Sequence, residues 1–132
     1  MERRLRNPHW RLEQELARSF VRLTRTEVPF ERLDELVASV TELCTLLDTI
    51  GRANMALLVD LRDGPMRTDT AFELAMSEQR TRLLLGIPRV AVLVRTSLGA
   101  MQLNRHQRQG RVEFGTFNDE KSALAHLGII VN

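Results

Sequence analysis

Apolar and polar residues alternate near the start of the chain, as they do in a half-buried strand. The alternation covers residues 10–16 and, after a short break of small residues, an apolar, β-branched segment follows over 20–24. This pattern predicts an N-terminal β-hairpin, because strands favour β-branched and aromatic residues. Leu12, Leu16 and Phe20 also fit an i, i+4 row, so a helix is the competing interpretation.

The apolar residues that follow recur at steps of three and four, which is the repeat of a helix. The repeat predicts a helix over residues 29–50, with Pro29 suited to its first turn and Gly51 suited to its C-cap. Three heptads would also fit a coiled coil, but a helix packed on a sheet uses the same spacing, and we favour the sheet. Cys44, the single cysteine, falls in the apolar stripe and is interpreted as a small core residue.

Strand and helix patterns alternate through the rest of the chain. They predict a buried strand, a helix, a second buried strand, a helix, an edge strand and a last helix, over residues 55–61, 70–85, 89–96, 97–109, 112–117 and 119–127. The predicted order is ββαβαβαβα, with about four helices. Strands joined by helices form parallel sheets, so we expect a single α/β domain with a mixed, mainly parallel sheet and the hairpin antiparallel at one side. We assign residues 1–8 to an N-terminal extension and 9–132 to the domain.

The composition is that of one globular domain. The chain has 132 residues, of which 43% are hydrophobic and 27% charged, so we expect a packed core and not a disordered chain. Its longest apolar runs, residues 55–59 and 90–94, are far shorter than the roughly 20 residues of a membrane-spanning helix. The first residues lack an apolar stretch after their charges, so we expect no signal peptide and a cytoplasmic location.

Two apolar strands carry a resemblance to a known family. The segments are Leu57-Leu58-Val59-Asp60-Leu61-Arg62 and Val90-Ala91-Val92-Leu93-Val94-Arg95-Thr96. Together with the element order over residues 9–129, they resemble the STAS or anti-anti-sigma-factor (SpoIIAA-like) superfamily, and look closest to uncharacterised bacterial STAS-like proteins. The resemblance implies a STAS-like fold and a non-enzymatic module that acts through protein–protein interaction.

The same resemblance identifies a candidate switch. In STAS proteins of sigma-factor partner switching, the loop after the matching strand ends in Asp-Ser-Ser/Thr-Gly, and its hydroxyl is phosphorylated at the start of a helix. The corresponding residues here are Thr68-Asp69-Thr70-Ala71, so Thr70 takes the position of the phosphorylated residue and the glycine is absent. This departure argues against switching by a kinase. Thr70 and Glu73 have the spacing of a capping box, so we expect Thr70 to cap its helix.

Basic and hydroxyl side chains follow the two predicted buried strands. Ligands of alternating α/β sheets bind beyond the carboxyl ends of the strands, near helix N-termini. The side chains expected there form a candidate pocket for a phosphate, a nucleotide or an acidic side chain, and are those of Arg62, Arg67, Arg95, Thr96 and Ser97. The alternative is that Asp60, Asp63 and Asp69 neutralise the arginines, while Ser97 caps its own helix.

The chain has 18 arginines, and they are unevenly placed. Residues 79–112 carry seven arginines and no acid, and within them Arg80, Arg82, Arg105 and Arg108 form a candidate basic docking face. An acidic protein, or the acidic face of the predicted helix in a second copy of this chain, would complement it. No Phe, Trp or Tyr falls in the stretch, which argues against nucleic acid as a partner. A solvated face is the simpler interpretation.

The sequence contains no recognisable catalytic motif. His9, His106 and His126 lie far apart, and a single cysteine cannot build a thiolate cluster, so we expect neither an enzyme nor a metal or other cofactor. The sequence favours a non-enzymatic, cytoplasmic STAS-like module with a regulatory or scaffolding role. The alternative is a sensor that binds a small anionic ligand (a nucleotide, a phosphorylated metabolite or a lipid) at the helix N-termini.

Overall fold

The structure, a computed structural model, describes residues 1–65, 67, 69–97 and 112–129. Within these residues six strands form one sheet and lie across it in chain order. The strands are β1 (Glu2–Arg6), β2 (Trp10–Glu15), β3 (Phe20–Arg25), β4 (Ala56–Asp60), β5 (Arg89–Leu93) and β6 (Gly115–Phe117). The first two pairs, β1 with β2 and β2 with β3, are antiparallel, and the pairs from β3 to β6 are parallel. The sheet is therefore mixed and mainly parallel, as the sequence predicts.

Three α-helices have both ends in the described part of the chain, besides two short 3-10 helices at Leu16–Arg18 and Arg52–Asn54. They are α1 (Leu33–Ile50), α2 (Thr70–Leu84) and α3 (Glu120–His126). The loop before α1 buries Phe30 in the core, and the Glu35 carboxylate accepts the backbone N–H of Arg32, so α1 begins at Leu33 and not at residue 29 as predicted. The predicted C-cap is confirmed, because Gly51 has a φ of 107° and donates its N–H to the Leu47 carbonyl oxygen at 2.9 Å.

The side chains of the strands alternate between two apolar layers, as the pleat of a sheet requires. Leu57 and Val59 of β4 share one cluster with Leu43 of α1, which defines the α1/α2 face of the sheet. Leu58 of β4 shares the other cluster with Leu124 of α3, which defines the α3 face. Burial on both faces explains why β4 reads as a continuous apolar run. Because α1 shares a cluster with β4, α1 packs on the sheet, as favoured above over a coiled coil.

The observed elements differ from the prediction at β1, β5 and β6. β1 was not predicted, because it is an exposed edge strand in which only Leu5 is partly buried. It belongs to residues 1–8, assigned above to an extension, and pairs with β2 in the same sheet. β5 ends at Leu93 and β6 begins at Gly115, so both are shorter than predicted. The predicted helix over 97–109 lies almost entirely outside the described residues.

The N-terminal hairpin is confirmed against its helical alternative. β2 and β3 pair antiparallel over their whole lengths, from Trp10 opposite Arg25 to Glu15 opposite Phe20. Leu12 and Leu23 face each other in this register and are fully buried, whereas Leu16 lies in the connecting turn and is exposed. The two-residue repeat of a strand therefore accounts for the burial of Leu12 and Leu23. A helical row of Leu12, Leu16 and Phe20 would bury Leu16, which is exposed. No helix in the described residues is long and apolar enough to cross a membrane.

Candidate functional site

The carboxyl ends of the central strands meet the N-terminal ends of two helices at one edge of the sheet. β3, β4 and β5 are parallel, so their carboxyl ends lie side by side. α1 follows β3 and α2 follows β4, so both helices begin near this edge. Parallel α/β sheets bind ligands in this place, where strand ends and helix N-termini converge. We call it the carboxyl edge and describe its side chains on each face of the sheet.

On the α3 face, the carboxyl edge holds a cluster of two arginines and two acids. Asp60, at the end of β4, accepts hydrogen bonds from Arg22 Nη2 at 2.9 Å and from Arg62 Nη2 at 3.0 Å. Glu120, the first residue of α3, lies 2.6 Å from Arg22 Nη2 and 3.6 Å from Arg62 Nη2. These four residues, which we call the ion-pair cluster, join β3, β4 and α3. Their opposite charges are balanced within the cluster.

The ion-pair cluster lowers the pKa of its buried member, Asp60. Asp60 is only 5% exposed, and burial alone would raise its pKa. Hydrogen bonds and charge from Arg62, together with the hydrogen bond from Arg22, outweigh that effect and hold the pKa of Asp60 below its ordinary value. Asp60 in turn raises the pKa of the Arg62 guanidinium. The Asp60 carboxylate is therefore ionised at neutral pH, and it is hydrogen-bonded to Arg22 and Arg62.

The other residues of the predicted anion pocket lie around this cluster or away from it. Arg95 donates a hydrogen bond to the backbone oxygen of Arg62, which brings the loops after β4 and β5 together. Thr96 and Ser97 are exposed, and the Ser97 hydroxyl accepts a hydrogen bond from Asn118 at 3.1 Å. Arg67 contacts the α1/α2 face instead. The predicted pocket residues are thus divided between the two faces of the sheet.

On the α1/α2 face, the carboxyl edge holds two arginines stacked on aromatic rings. Arg25 lies 4.3 Å from the centre of the Phe30 ring, and Arg67 lies 4.0 Å from the centre of the Phe72 ring. His9 also stacks on Phe30, with ring centres 4.3 Å apart. These five residues form what we call the cation–aromatic cluster. It closes the apolar layer beneath α1 and α2 at this edge.

The two arginines of this cluster obtain their hydrogen bonds differently. Arg25 is buried, and its Nη1 donates to the backbone oxygens of His9 at 3.1 Å and Thr26 at 2.9 Å. Without a carboxylate beside it, burial lowers the pKa of Arg25 to about 10. Arg67 donates to Asp69 at 3.0 Å and to the Phe30 carbonyl oxygen at 2.9 Å. The neutralisation of Arg62 by Asp60 and of Arg67 by Asp69, the alternative drawn from the sequence, is therefore observed.

The candidate switch residues stand at the start of α2. Thr70 is the first helical residue and is exposed, while Asp69 occupies the N-cap position and makes no side-chain cap bond. The Asp69 carboxylate is bound by Arg67, and the Glu73 N–H donates to the Asp69 backbone oxygen at 3.0 Å. The predicted capping box of Thr70 and Glu73 is therefore wrong, because Thr70 lies one position inside the helix. Thr68 lies outside the described residues.

The candidate basic docking face is divided as well. Arg82 is exposed and donates to Gln79 Oε1 at 2.5 Å and to Thr41 Oγ1 of α1 at 3.1 Å. Arg80 lies two residues earlier on α2, which is about 200° around the helix, and is half-buried. These two arginines therefore do not share one exposed surface. Arg105 and Arg108 lie outside the described residues.

The described residues hold no cluster of His, Cys, Asp and Glu that could bind a metal ion. His9 stacks on Phe30, and His126 packs against Phe117 with ring centres 5.2 Å apart. His106 lies outside the described residues. Cys44 is half-buried in α1, and its Sγ lies 3.7 Å from the backbone oxygen of Arg82.

Several residues of the carboxyl edge were not predicted from the sequence as site residues: His9, Arg22, Arg25, Phe30, Phe72 and Glu120. The positions of Arg22 and Arg25 on β3 could have predicted that each face of the sheet holds an arginine at this edge. In an alternating strand they fall on opposite faces, at the end nearest the helix N-termini. The pairing of Arg22 with Asp60 and Glu120 could not be predicted from β3 alone, because these acids belong to β4 and α3, far along the chain.

Comparisons with known proteins bear on the fold. No family model matches this chain, and a search of curated proteins finds no match. A search of solved structures finds the crystal structure of an uncharacterized protein from the DUF3478 family with a SpoIIAA-like fold, from Shewanella loihica PV-4. The two chains are 18% identical and superpose with a TM-score of 0.57, over 94% of this chain and 98% of that chain. The resemblance drawn from the sequence is confirmed at the level of architecture, and this chain has a SpoIIAA-like fold.

Proposed function

We propose that this protein is a non-enzymatic interaction module of the cytoplasm, which binds another protein in a regulatory or scaffolding role. The SpoIIAA-like fold supports this proposal, since the resemblance implies modules that act through protein–protein contacts. The observation that carries it is an exposed apolar patch on the first turns of α1 and α2. We define this apolar patch as Leu33, Val37 and Leu74.

The three side chains of the apolar patch belong to neighbouring helix turns. α1 and α2 run in the same direction, because each leaves the carboxyl edge and returns to the start of the next parallel strand. Thr41 of α1 contacts Arg82 of α2, and eight residues before each lie Leu33 and Leu74. Eight residues are about 12 Å along both helices, so the two leucines lie at the same height. Val37 is one turn beyond Leu33 on the same row of α1.

The exposure of the apolar patch is large for aliphatic side chains. Leu33 is 42% exposed, Val37 39% and Leu74 63%, although the helix faces beneath them are buried. Single exposed leucines are common on protein surfaces, whereas a group of them across two packed helices is typical of a binding surface. The patch borders the carboxyl edge, where the sequence predicts the candidate anion pocket and the candidate switch, and it is separate from the predicted basic docking face.

The alternative function, a sensor of small anions at the carboxyl edge, has less support from the same region. Arg62 and Arg67 already bind Asp60 and Asp69, so a phosphate would compete with these two carboxylates. Breaking the bonds to Asp60 would also leave a buried carboxylate with fewer partners, which costs free energy. A protein partner that covers the apolar patch needs neither change.

The test is capture of the partner by the full chain from cells of the source organism, with variants of the apolar patch. Leu33→Ser together with Leu74→Ser should abolish retention of the partner, because both changes remove exposed apolar contact area. Leu85→Ser is the matched control, since Leu85 is 56% exposed at the other end of α2. Retention by the control and loss by the double variant supports the proposal. Equal retention by both would remove the patch from the interface.

A ligand screen on the same protein distinguishes the interaction module from the sensor of small anions. Under the proposed function, nucleotides and phosphorylated metabolites should leave the melting temperature unchanged. A sensor would gain stability as the logarithm of ligand concentration, with saturable binding. A rise in melting temperature that grows with the logarithm of the concentration of one of these ligands, and is lost in Arg62→Gln, would favour the sensor and contradict the interaction module. Retention of a second, differently tagged copy of the chain would identify the partner as a homodimer.

A further inference from the structure

Among the described residues, β1 has a neighbouring strand on one side only. The sheet runs from β1 to β6, and β1 pairs with β2. In an antiparallel pair, alternate residues direct their backbone N–H and C=O groups away from the neighbouring strand. No backbone hydrogen bond from elsewhere in the described residues reaches these outward groups. This side of β1, which we call the β1 edge, can therefore accept a further strand.

The β1 edge is strongly basic. Three of the five residues of β1 are arginines, and all three are exposed: Arg3, Arg4 and Arg6. The strand register sets Arg11 of β2 opposite Arg6, and the Arg11 side chain is 44% exposed. The glutamates of β2 already have cations beside them, because Glu13 lies 3.6 Å from Arg11 and Glu15 binds Arg18. The arginines of β1 are therefore in excess of the acids around them.

Two of these arginines belong to the α3 face of the sheet. Leu5 lies opposite Leu12, and both pack in the apolar layer of the α1/α2 face. Arg6 lies opposite Arg11, which follows the other face because it is next to Leu12 in β2. Arg3, opposite Glu13, lies on that same face. β1 and β2 contribute no residue to the apolar cluster beneath α3, so the α3 face is polar and basic beside the β1 edge.

We propose that the β1 edge binds an acidic, extended segment of a partner protein, which adds to the sheet as a further strand. Backbone hydrogen bonds supply affinity in this mode of binding, and side chains supply specificity. Alternate residues of a strand share one face, so acids at every second position of the partner would meet Arg3 and Arg6. Arginine binds a carboxylate through two parallel N–H bonds. A second copy of β1 has arginines at these positions and lacks the complementary charge.

The charge of the β1 edge would also attract nucleic acid, but the groups that stack on bases are absent from it. Trp10 is the one aromatic residue of β1 and β2, and it is buried in the apolar layer of the α1/α2 face. Backbone N–H and C=O groups along a strand complement the backbone of another strand. An acidic peptide therefore matches both the charge and the backbone of this edge.

Binding of a labelled peptide to the full chain tests the proposal. The probe is a capped peptide of about ten residues that alternates Thr with Glu, because Thr favours strands and the acids then share one face. One control peptide has Lys in place of Glu. A second control keeps the sequence and charge of the probe but is N-methylated at its backbone nitrogens, so it cannot donate backbone hydrogen bonds. Fluorescence anisotropy should show saturable binding of the probe and of neither control. Failure of the probe to bind, or equal binding of the N-methylated peptide, would contradict strand addition.

A charge reversal in β1 tests which residues bind the probe. Arg6→Glu should weaken the affinity about fivefold, because an opposite-charge pair becomes a like-charge pair. Arg32→Glu is the matched control, since it makes the same charge change at a side chain that is 73% exposed before α1, and it should bind as wild type does. Equal weakening by both variants would mean attraction by net charge and would overturn the proposal. Leu33→Ser with Leu74→Ser should leave peptide binding intact, so this test is independent of the apolar patch.

Amide hydrogen exchange locates the bound peptide. Saturating probe should slow exchange over residues 2–6 at least about tenfold, because outward N–H groups gain partners. Protection elsewhere without protection over residues 2–6 would place the peptide at another surface and refute the proposal. Protection there that rises with protein concentration in the absence of peptide would identify a second copy as the occupant instead. A single-stranded oligonucleotide that displaces the probe and binds more tightly would assign the β1 edge to nucleic acid, which also contradicts the proposal.

Discussion

Arginines meet the two faces of the sheet in opposite ways. On the α3 face, Arg22 and Arg62 each reach the carboxylate of Asp60, and the pairs join separate elements of the fold. On the α1/α2 face, Arg25 is bound by backbone oxygens and aromatic rings, and Arg80 has no partner among the described residues. An arginine side chain therefore joins separate elements of the fold where an acid lies beside it. Where none is present, as at Arg25, it depends on aromatic rings and backbone carbonyl groups.

The largest effect is expected from removing the acid of the ion-pair cluster. Asp60→Asn should lower the free energy of unfolding by about 2–3 kcal/mol, because two arginines lose their shared charged partner. The value is below that of a fully buried pair, since the Arg62 side chain is 39% exposed and Glu120 remains. Urea unfolding at pH 7 measures it. Asp63→Asn, at an exposed position of the same loop, is the control and should stay within about 0.5 kcal/mol of wild type.

The pH dependence of this cost distinguishes a charge effect from a packing effect. The pKa of Asp60 is lowered in the folded protein, so its contribution is complete above the unfolded value of about 3.9. The contribution is lost as the pH falls through the lower, folded pKa. The difference between wild type and Asp60→Asn should therefore shrink in acid, because protonated Asp60 is as neutral as Asn. A difference that is constant with pH would mean that packing, and not charge, explains the loss.

A smaller effect is expected at Arg25 on the other face, which is bound by backbone oxygens and aromatic rings among the described residues. Arg25→Lys should cost about 1–2 kcal/mol, because an ammonium group cannot stack flat on Phe30 and reach both backbone oxygens at once. Chemical denaturation compares it with Arg11→Lys, the same change at a side chain that is 44% exposed. If Arg25→Lys is as stable as wild type, positive charge alone is sufficient there. The contrast between the two faces would then disappear.

The smallest effect is expected at Thr70, the exposed first residue of α2. Thr70→Ala should change the free energy of unfolding by less than about 0.5 kcal/mol, because its side chain is exposed and outside the cap position. Asp119→Ala is the contrasting variant, since the Asp119 carboxylate accepts the Ser122 N–H at 2.8 Å and caps α3. It should be measurably less stable than wild type.

The same position tests switching by phosphorylation. Thr70→Asp should leave partner retention unchanged, because the neighbouring arginine is already bound by Asp69. Intact-mass analysis of the protein from its source organism should show no phosphate on Thr70. A stoichiometric phosphate there, or a tenfold change in partner affinity with Thr70→Asp, would restore the switch.

The local sequence pattern was sufficient to predict the long helices and strands, but not the side-chain contacts between them. α1, β4 and β5 were predicted in the right places, because burial of one helix face or of both strand faces leaves a repeat in the sequence. Their ends were predicted less well, since α1 begins four residues later and β5 ends three residues earlier than predicted. β1 has one partly buried apolar residue and leaves no such repeat. The ion-pair cluster depends on the parallel register that sets Thr24 beside Asp60, and no local pattern encodes that register. Thr70 was misplaced by one residue, which is within the usual variation of helix ends.

The exposed strand β1 has a consequence for how concentrated solutions of this protein behave. A free strand edge is a template for pairing with another copy, but β1 carries three arginines in five residues. Paired strands lie about 4.8 Å apart, which is shorter than the screening length of about 8 Å at physiological ionic strength. Repulsion therefore acts across such a pair and opposes growth of the sheet from copy to copy. In molar salt the screening length falls to about 3 Å, below the strand spacing, and that colloidal protection is lost.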